Sequence, residues 1–273
     1  RILGMLLVPL EEDYEIPLRR APDLRLACTE AYGPCEGQAL VSLRELLGLV
    51  GAHEWRKNGV VVPALSDRIH PHYGVFSPIR SEYVDLVADA PLPSNTLAFD
   101  IGTGTGVLAA VLARRGVSHI VATDQDPRAL ACARENLARL ELTDRVEVVQ
   151  ADLFPEGKAP LVLCNPPWVP ARPTSPIEQA IYDPESRMLS GFLSGLAAHL
   201  EPGGEGWLLL SDLAEHLELR TRAELLAAFD QAGLVVLGKT DIRPHHPRAS
   251  DQADPLRAAR AAEITSLWRL GIR

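Results

Sequence analysis

One stretch limits what this chain can fold into more than any other. Residues 96 to 106 read Thr-Leu-Ala-Phe-Asp-Ile-Gly-Thr-Gly-Thr-Gly, and the alanine- and leucine-rich run from Val107 to Arg114 follows. An apolar run holding an acid, Asp100, then glycines on alternate positions, then a helix-forming run spells strand, tight turn, helix. Gly102, Gly104 and Gly106 remove side chains where a bulky ligand must approach the backbone, and the helix start offers unpaired N–H groups. The spacing departs from the dinucleotide fingerprint G-x-G-x-x-G, because its third glycine would fall on Val107. That makes NAD or FAD the less expected ligand. A plain helix-capping turn would leave the same local pattern, so the later segments decide.

From Leu97 onward the pattern is regular. Strands are predicted over 97–101, 118–123, 145–150 and 160–164, with helices over 105–114 and 127–140. A helix over 185–200, a strand over 205–210, a helix over 213–232 and a strand over 234–241 continue it, and Ile264 to Leu270 closes it as a last strand. Such alternation predicts an α/β fold with a mostly parallel sheet covered by helices on both faces. Residues 1–72 read as an accessory lobe and 73–273 as the main domain, with Pro91-Leu92-Pro93-Ser94 leading into the sheet. The lobe carries an acidic cluster (Glu11, Glu12, Asp13, Glu15), a helical pattern from Ala39 to Val50, and a turn at Asn58-Gly59 leading to a strand at Val60-Val61-Val62. Between the two parts, Tyr73 to Glu82 precedes a helix ending near Ala88, with Ser77 as a candidate N-cap and Pro78 at the first helical position.

With 273 residues and 47% hydrophobic content the chain can bury a sizeable core. Its net charge of −9 argues against a broad basic surface of the kind that gives unspecific nucleic-acid affinity, while a local patch stays open. Cys28, Cys35, Cys132 and Cys164 show no C-x-x-C spacing and read as reduced thiols. The apolar run from Ile2 to Leu10 is shorter than the roughly 20 residues a bilayer needs, so no membrane span is expected and a cytoplasmic location is. His245-His246, with Arg243 and Arg248, read as a solvated loop, since adjacent histidines without a third ligand make a poor metal site. No metal is expected. Nothing in the sequence indicates an oligomeric state.

Four segments in order carry a resemblance: D-x-G-x-G-x-G from Asp100 to Gly106, then Thr123-Asp124-Gln125-Asp126, Ala151-Asp152-Leu153-Phe154, and Asn165-Pro166-Pro167-Trp168. Together they resemble the class I, Rossmann-like S-adenosylmethionine-dependent methyltransferases with an N-P-P-aromatic motif, closest to the HemK-like (protein glutamine) and small-methyltransferase branch. The resemblance implies a seven-stranded sheet with an antiparallel last strand, and S-adenosylmethionine as cofactor. It implies that Asp100, Gly102, Thr103, Gly104 and Gly106 cradle that cofactor, and that Asn165 borders it. Asp124, ending the second strand 24 residues after Asp100, suits the ribose hydroxyls, while Asp126 before Pro127 reads better as a helix N-cap. Asp152 would accept from the adenine amino group and the Leu153 backbone would read the ring edge. The segment from Tyr73 helps cover the cofactor in the family; packing as an aromatic loop is the alternative, and both can hold together. Ile181-Tyr182-Asp183-Pro184 and Arg187-Met188-Leu189 loosely match a substrate-side segment of glutamine methyltransferases. Trp168 departs from the Tyr or Phe more usual at the fourth position.

The residue types suit methyl transfer to nitrogen. An NH₂ on a planar group has its lone pair drawn into the π system and is a poor nucleophile. The Asn165 side-chain oxygen and the Pro166 carbonyl can each accept one N–H, aiming the lone pair at the methyl group. Pro166 and Pro167 lock φ and add no competing donor. Trp168 can stack on the planar group, a contact worth about 1 to 3 kcal/mol for a base. The expectation is an N-methyltransferase acting on a protein glutamine or small-molecule amide, which the acidic charge favours. An RNA or DNA base methyltransferase is the alternative, and a catalytically silent nucleotide-binding module is the alternative of another class.

Overall fold

The computed structural model describes residues 2–79, 81–169, 183–243 and 257–273. Its centre is a seven-stranded sheet. The strands are β5 (Leu97–Ile101), β6 (His119–Asp124), β7 (Val146–Gln150), β8 (Ala159–Cys164), β9 (Leu200–Ser211), β10 (Leu234–Ile242) and β11 (Thr265–Ile272). They lie in the order β10-β11-β9-β8-β5-β6-β7. The pairs β5–β6, β5–β8, β6–β7 and β8–β9 are parallel, and β11 is antiparallel to both β9 and β10.

Side chains alternate between two apolar layers, as the period of a strand requires. On one face Ala98, Ile120, Leu161, Leu163, Trp207 and Leu209 pack with α3 (Glu82–Asp89), α4 (Val107–Arg114) and α5 (Pro127–Arg139). On the other, Phe99, Ile101, Val162, Cys164, Leu208 and Leu210 pack with α6 (Arg187–His199) and with Leu225 and Phe229 of α8 (Arg222–Gln231), which the short α7 (Leu213–His216) precedes. With both faces covered, the inner strands read as nearly unbroken apolar runs. The order reverses at β5, where β6 lies on one side and β8 on the other, and in open α/β sheets such a switch point opens a crevice at the carboxyl ends of the strands.

Residues ahead of the sheet form a small layer of their own. Strands β1 (Leu7–Leu10) and β2 (Ala39–Ser42) pair antiparallel, and Leu10, Tyr14, Ala27, Cys28, Leu46 and Leu49 cluster between them and the helices α1 (Arg25–Tyr32) and α2 (Leu43–Asn58). The hairpin of β3 (Val60–Val62) and β4 (Asp67–Ile69) instead sends Val62, Leu65 and Ile69 into the core of the sheet.

Three local expectations are corrected. The helix expected to run through 213–232 is two: Glu218 adopts φ +57°, and Thr221 with Glu224 makes a capping box that starts α8 afresh. The helical pattern from Ala39 begins as strand, because Ala39–Ser42 pairs with β1 and Ser42 caps α2 by accepting from the Glu45 N–H. Ser77 caps nothing, its buried hydroxyl has no hydrogen-bond partner, and the helix begins only at Glu82. All four cysteines are free thiols. Among the described residues no helix is long and apolar enough to cross a membrane.

Candidate active site

The glycine turn is stitched to its surroundings by backbone. The Thr103 N–H donates to the Thr123 carbonyl (2.8 Å), and the Gly106 N–H to the Thr103 carbonyl (2.9 Å). Gly102, Gly104 and Gly106 all take left-handed φ, at +69°, +56° and +80°, which delays the helix to Val107 instead of the expected residue 105. A Cβ on Gly102 would lie 2.2 Å from the Met188 methyl, so the thioether end of Met188 lies directly over the turn. Val75 is the neighbour nearest Gly104, at 3.9 Å from where its Cβ would stand, which brings the Tyr73-to-Glu82 segment against the cradle.

Asp100 is buried, and its Oδ2 accepts from the Thr103 hydroxyl (2.6 Å) and the Ala109 N–H (3.1 Å), tying strand, turn and helix together. Burial pushes its carboxyl up to about 6, against the pull of those two bonds. Asp124, one strand over, accepts the Gly104 N–H on Oδ2 (3.0 Å) and the Asp126 N–H on Oδ1 (3.0 Å); burial raises its carboxyl too. These two bonds take one lone pair on each Asp124 oxygen, so this bracing leaves Asp124 capacity for ligand hydroxyls. Asp126 caps α5 by accepting the Arg128 N–H (2.9 Å) ahead of Pro127, as its position implied.

Asp152 and Leu153 follow β7 at the same edge of the sheet. The Asp152 carboxylate is exposed and paired with Arg187 at 3.1 Å. Leu153 takes φ +77°, and its carbonyl accepts from the Thr123 hydroxyl (2.5 Å), which pins this loop to the end of β6. Asp100, Asp124 and Asp152 thus stand at or just beyond the carboxyl ends of three neighbouring strands, Asp100 buried and Asp152 exposed. That suits a cationic ligand rich in hydroxyl donors better than a pyrophosphate.

Asn165 follows Cys164, which pairs in register with Ile101, so Asn165 and Gly102 leave adjacent strands side by side. The Trp168 indole N–H donates to Asn165 Oδ1 at 2.9 Å, and the indole ring meets Tyr83 edge to face with centroids 6.3 Å apart. Beyond Pro166 and Pro167, the Val169 carbonyl accepts from the Asp183 N–H (2.9 Å). The buried Asp183 carboxylate in turn accepts the Met188 and Leu189 N–H groups (3.0 and 3.1 Å), anchoring the start of α6 over the cradle. Ile181 and Tyr182, like His245, His246 and Arg248, lie outside the described residues. Among the described residues no group of His, Cys, Asp and Glu could hold a metal ion.

Sequence reasoning missed two supports. Asn136 of α5 is buried, donates to the carbonyls of Thr105 (3.1 Å) and His70 (3.2 Å) and accepts the His70 N–H (2.7 Å), clamping the turn to the segment before it. An amide among the alanines and leucines of α5 was the available signal. Tyr83, on the apolar face of α3, gave none.

Comparison with known proteins places this geometry. Release factor glutamine methyltransferase of Cereibacter sphaeroides is 38% identical over 131 residues, covering 46% of this chain and 43% of that protein. The chain thus spans less than half the length of that relative. The tRNA1(Val) (adenine(37)-N6)-methyltransferase of Shewanella loihica is 29% identical over 176 residues, covering 57% of this chain and 72% of that protein. A methyltransferase structure from Pyrococcus furiosus matches with a TM-score of 0.52 at 18% identity, over 84% of this chain and 99% of that one, a likeness of fold. The methyltransferase small domain family matches residues 68–236, from within β4 to the start of β10, and the chain belongs to that family.

Proposed function

We propose that this chain is an S-adenosylmethionine-dependent N-methyltransferase acting on a planar NH₂, with a protein glutamine side chain or similar amide as the favoured acceptor. The observation that carries the reading is the register of β5 and β8, which sets Asn165 and Pro166 beside Gly102. Bound S-adenosylmethionine would supply the methyl group on a positively charged sulfur. The residues present fit that cofactor: an alternate-glycine turn admits it, Met188 is a flexible thioether that can yield or pack against it, and Asp124 and Asp152 stand at the neighbouring strand ends. Asp124 would take the ribose hydroxyls, Asp152 and Leu153 the adenine, and the turn from Asp100 to Gly106 the remainder. Asn165 Oδ1 and the Pro166 carbonyl would each accept one acceptor N–H, localising the nitrogen lone pair, with Pro167 stiffening the loop. The spare proton leaves to water after transfer, so the work of the site is alignment and electrostatics.

The two relatives named above act on a protein glutamine and on a tRNA adenine, and an amide NH₂ and an adenine NH₂ share the chemistry this pair of acceptors would recognise. The net charge of −9 favours the amide over a polyanion. The base reading draws on the greater coverage of the tRNA-modifying relative. We place the reaction in the cytoplasm. The test is transfer of tritium from labelled S-adenosylmethionine into separate protein, RNA and DNA fractions. Label in protein supports the amide reading, label in nucleic acid replaces it with the base reading, and label in none refutes the enzyme.

A further inference from the structure

The fourth residue of the Asn-Pro-Pro-Trp loop turns its polar edge inward. Trp168 Nε1–H donates to Asn165 Oδ1 at 2.9 Å. An indole N–H is a donor only, so this bond settles which end of the Asn165 amide faces the ring. An asparagine without such an anchor can interchange oxygen and nitrogen by a half-turn of its last torsion. With the nitrogen forward it would present donors to an acceptor amine that is itself a donor.

The indole is in turn immobilised. Its ring meets Tyr83 edge to face at 6.3 Å and 87°, and Tyr83 meets Phe76 at 6.1 Å and 48°. Trp168 also packs against both apolar layers of the sheet. A run of three rings therefore links the segment before the sheet to the amide of Asn165. A phenylalanine at 168 would carry no donor, and a tyrosine would carry its hydroxyl at the far end of the ring.

We propose that Trp168 is a positioning residue for methyl transfer, whose indole N–H holds the Asn165 amide with its oxygen presented to the acceptor nitrogen. The inference rests on the reading that Asn165 holds that nitrogen. The bond occupies one of the two lone pairs of Oδ1 and leaves the other for a single N–H. The second N–H then falls to the Pro166 carbonyl, so the site takes a primary NH₂ at two points with one acceptor at each.

The test separates the N–H from the ring. Benzothienylalanine, which replaces the indole N–H by sulfur and keeps the ring shape, is incorporated at position 168 of the full chain beside Trp168→Phe. Steady-state transfer from tritiated S-adenosylmethionine is then measured into whichever fraction the wild type labels. Loss of alignment lowers kcat by between about tenfold and a hundredfold in both variants. Binding of S-adenosylhomocysteine and the thermal midpoint of the benzothienyl variant stay at their wild-type values. An analogue that turns over like wild type sinks this inference and leaves the enzyme reading standing, whereas a wild type that labels nothing sinks both. A second readout needs no acceptor: the ¹H–¹⁵N indole signal missing from Trp168→Phe is expected to shift in Asn165→Ala and to be protected from exchange. A signal indifferent to Asn165→Ala overturns the proposal.

Discussion

Gly102 and Gly106 belong to one turn and share left-handed φ, +69° and +80°, yet a methyl group added to each meets different matter. Holding an L-residue in that region costs roughly 1–2 kcal/mol at either position. At Gly106 the new Cβ would lie 3.3 Å from both Cα and Cβ of Ala133 in α5. Backbone there cannot yield without moving a helix, and such overpacking typically adds about 1–3 kcal/mol. Gly106→Ala is therefore expected to cost about 3 kcal/mol, a drop in Tm of roughly 6–12 °C for a chain of this size. At Gly102 the obstacle is the Met188 methyl, 2.2 Å away at the end of a flexible side chain. That end can swing aside, so Gly102→Ala should lose only the backbone cost of about 1–2 kcal/mol. Its methyl would stand where the proposed cofactor meets the turn. Thermal unfolding by circular dichroism and calorimetric titration with S-adenosylhomocysteine read the two effects apart. Gly102→Ala should weaken the ligand by more than about tenfold, about 1.4 kcal/mol, and Gly106→Ala by less once folded. The reverse pattern, with the larger stability loss at Gly102 and the larger affinity loss at Gly106, would refute this division of labour.

Asn165→Ala is expected to abolish tritium transfer while leaving S-adenosylhomocysteine affinity within about tenfold, roughly 1.4 kcal/mol; unchanged turnover would show that the nitrogen is not held there. Asp100 gives a pH signature. Its carboxyl is raised from the usual 3.8 to about 6, a gap worth about 3 kcal/mol at 1.36 kcal/mol per pH unit. Because the folded value lies above the unfolded one, this contribution is fully present below pH 3.8 and is lost as pH rises through about 6. Both bonds fall on one oxygen, which an asparagine can reproduce. Urea unfolding from pH 3 to 7 should therefore show wild type losing about 3 kcal/mol relative to Asp100→Asn. Parallel curves for the two proteins would show that Asp100 does not titrate in that window.

Much of this fold was legible because its signals are local. Leu97–Ile101 is a strand at the expected residues, and β6, β7, β8, β10 and β11 fall within two residues of theirs, since buried parallel strands read as apolar runs punctuated by glycine and proline, while β9 starts five residues before the expected 205. The last strand is antiparallel, as the resemblance implied. The misreadings occur where a partner far along the chain decides. Ala39–Ser42 is strand only because β1 lies beside it, and Ser77 loses its capping role because the helix starts at Glu82. The break before α8 was in principle readable, from Thr221 with Glu224 three residues on. That the glycines, acids and Asn-Pro-Pro-Trp loop stand at strand ends was readable from sequence, because tight turns and strand ends leave a residue-type signature, while what they bind is the proposal made above. Which side chains hold one another was not. Asn136 closing on Thr105, Met188 lying over Gly102, and the Trp168 bond to Asn165 follow from how α5, α6 and the loop pack.

In the proposed complex S-adenosylmethionine lies at the carboxyl ends of β5, β6, β7 and β8 with Gly102 under it and Asn165 beside it. Calorimetric titration of the full chain with S-adenosylmethionine and then S-adenosylhomocysteine, repeated on Gly102→Ala, asks this directly. Saturable one-to-one binding of both ligands to wild type and weakened binding to the variant are expected. No binding of either ligand at about millimolar concentration, which is at best about −4.1 kcal/mol, would contradict that complex.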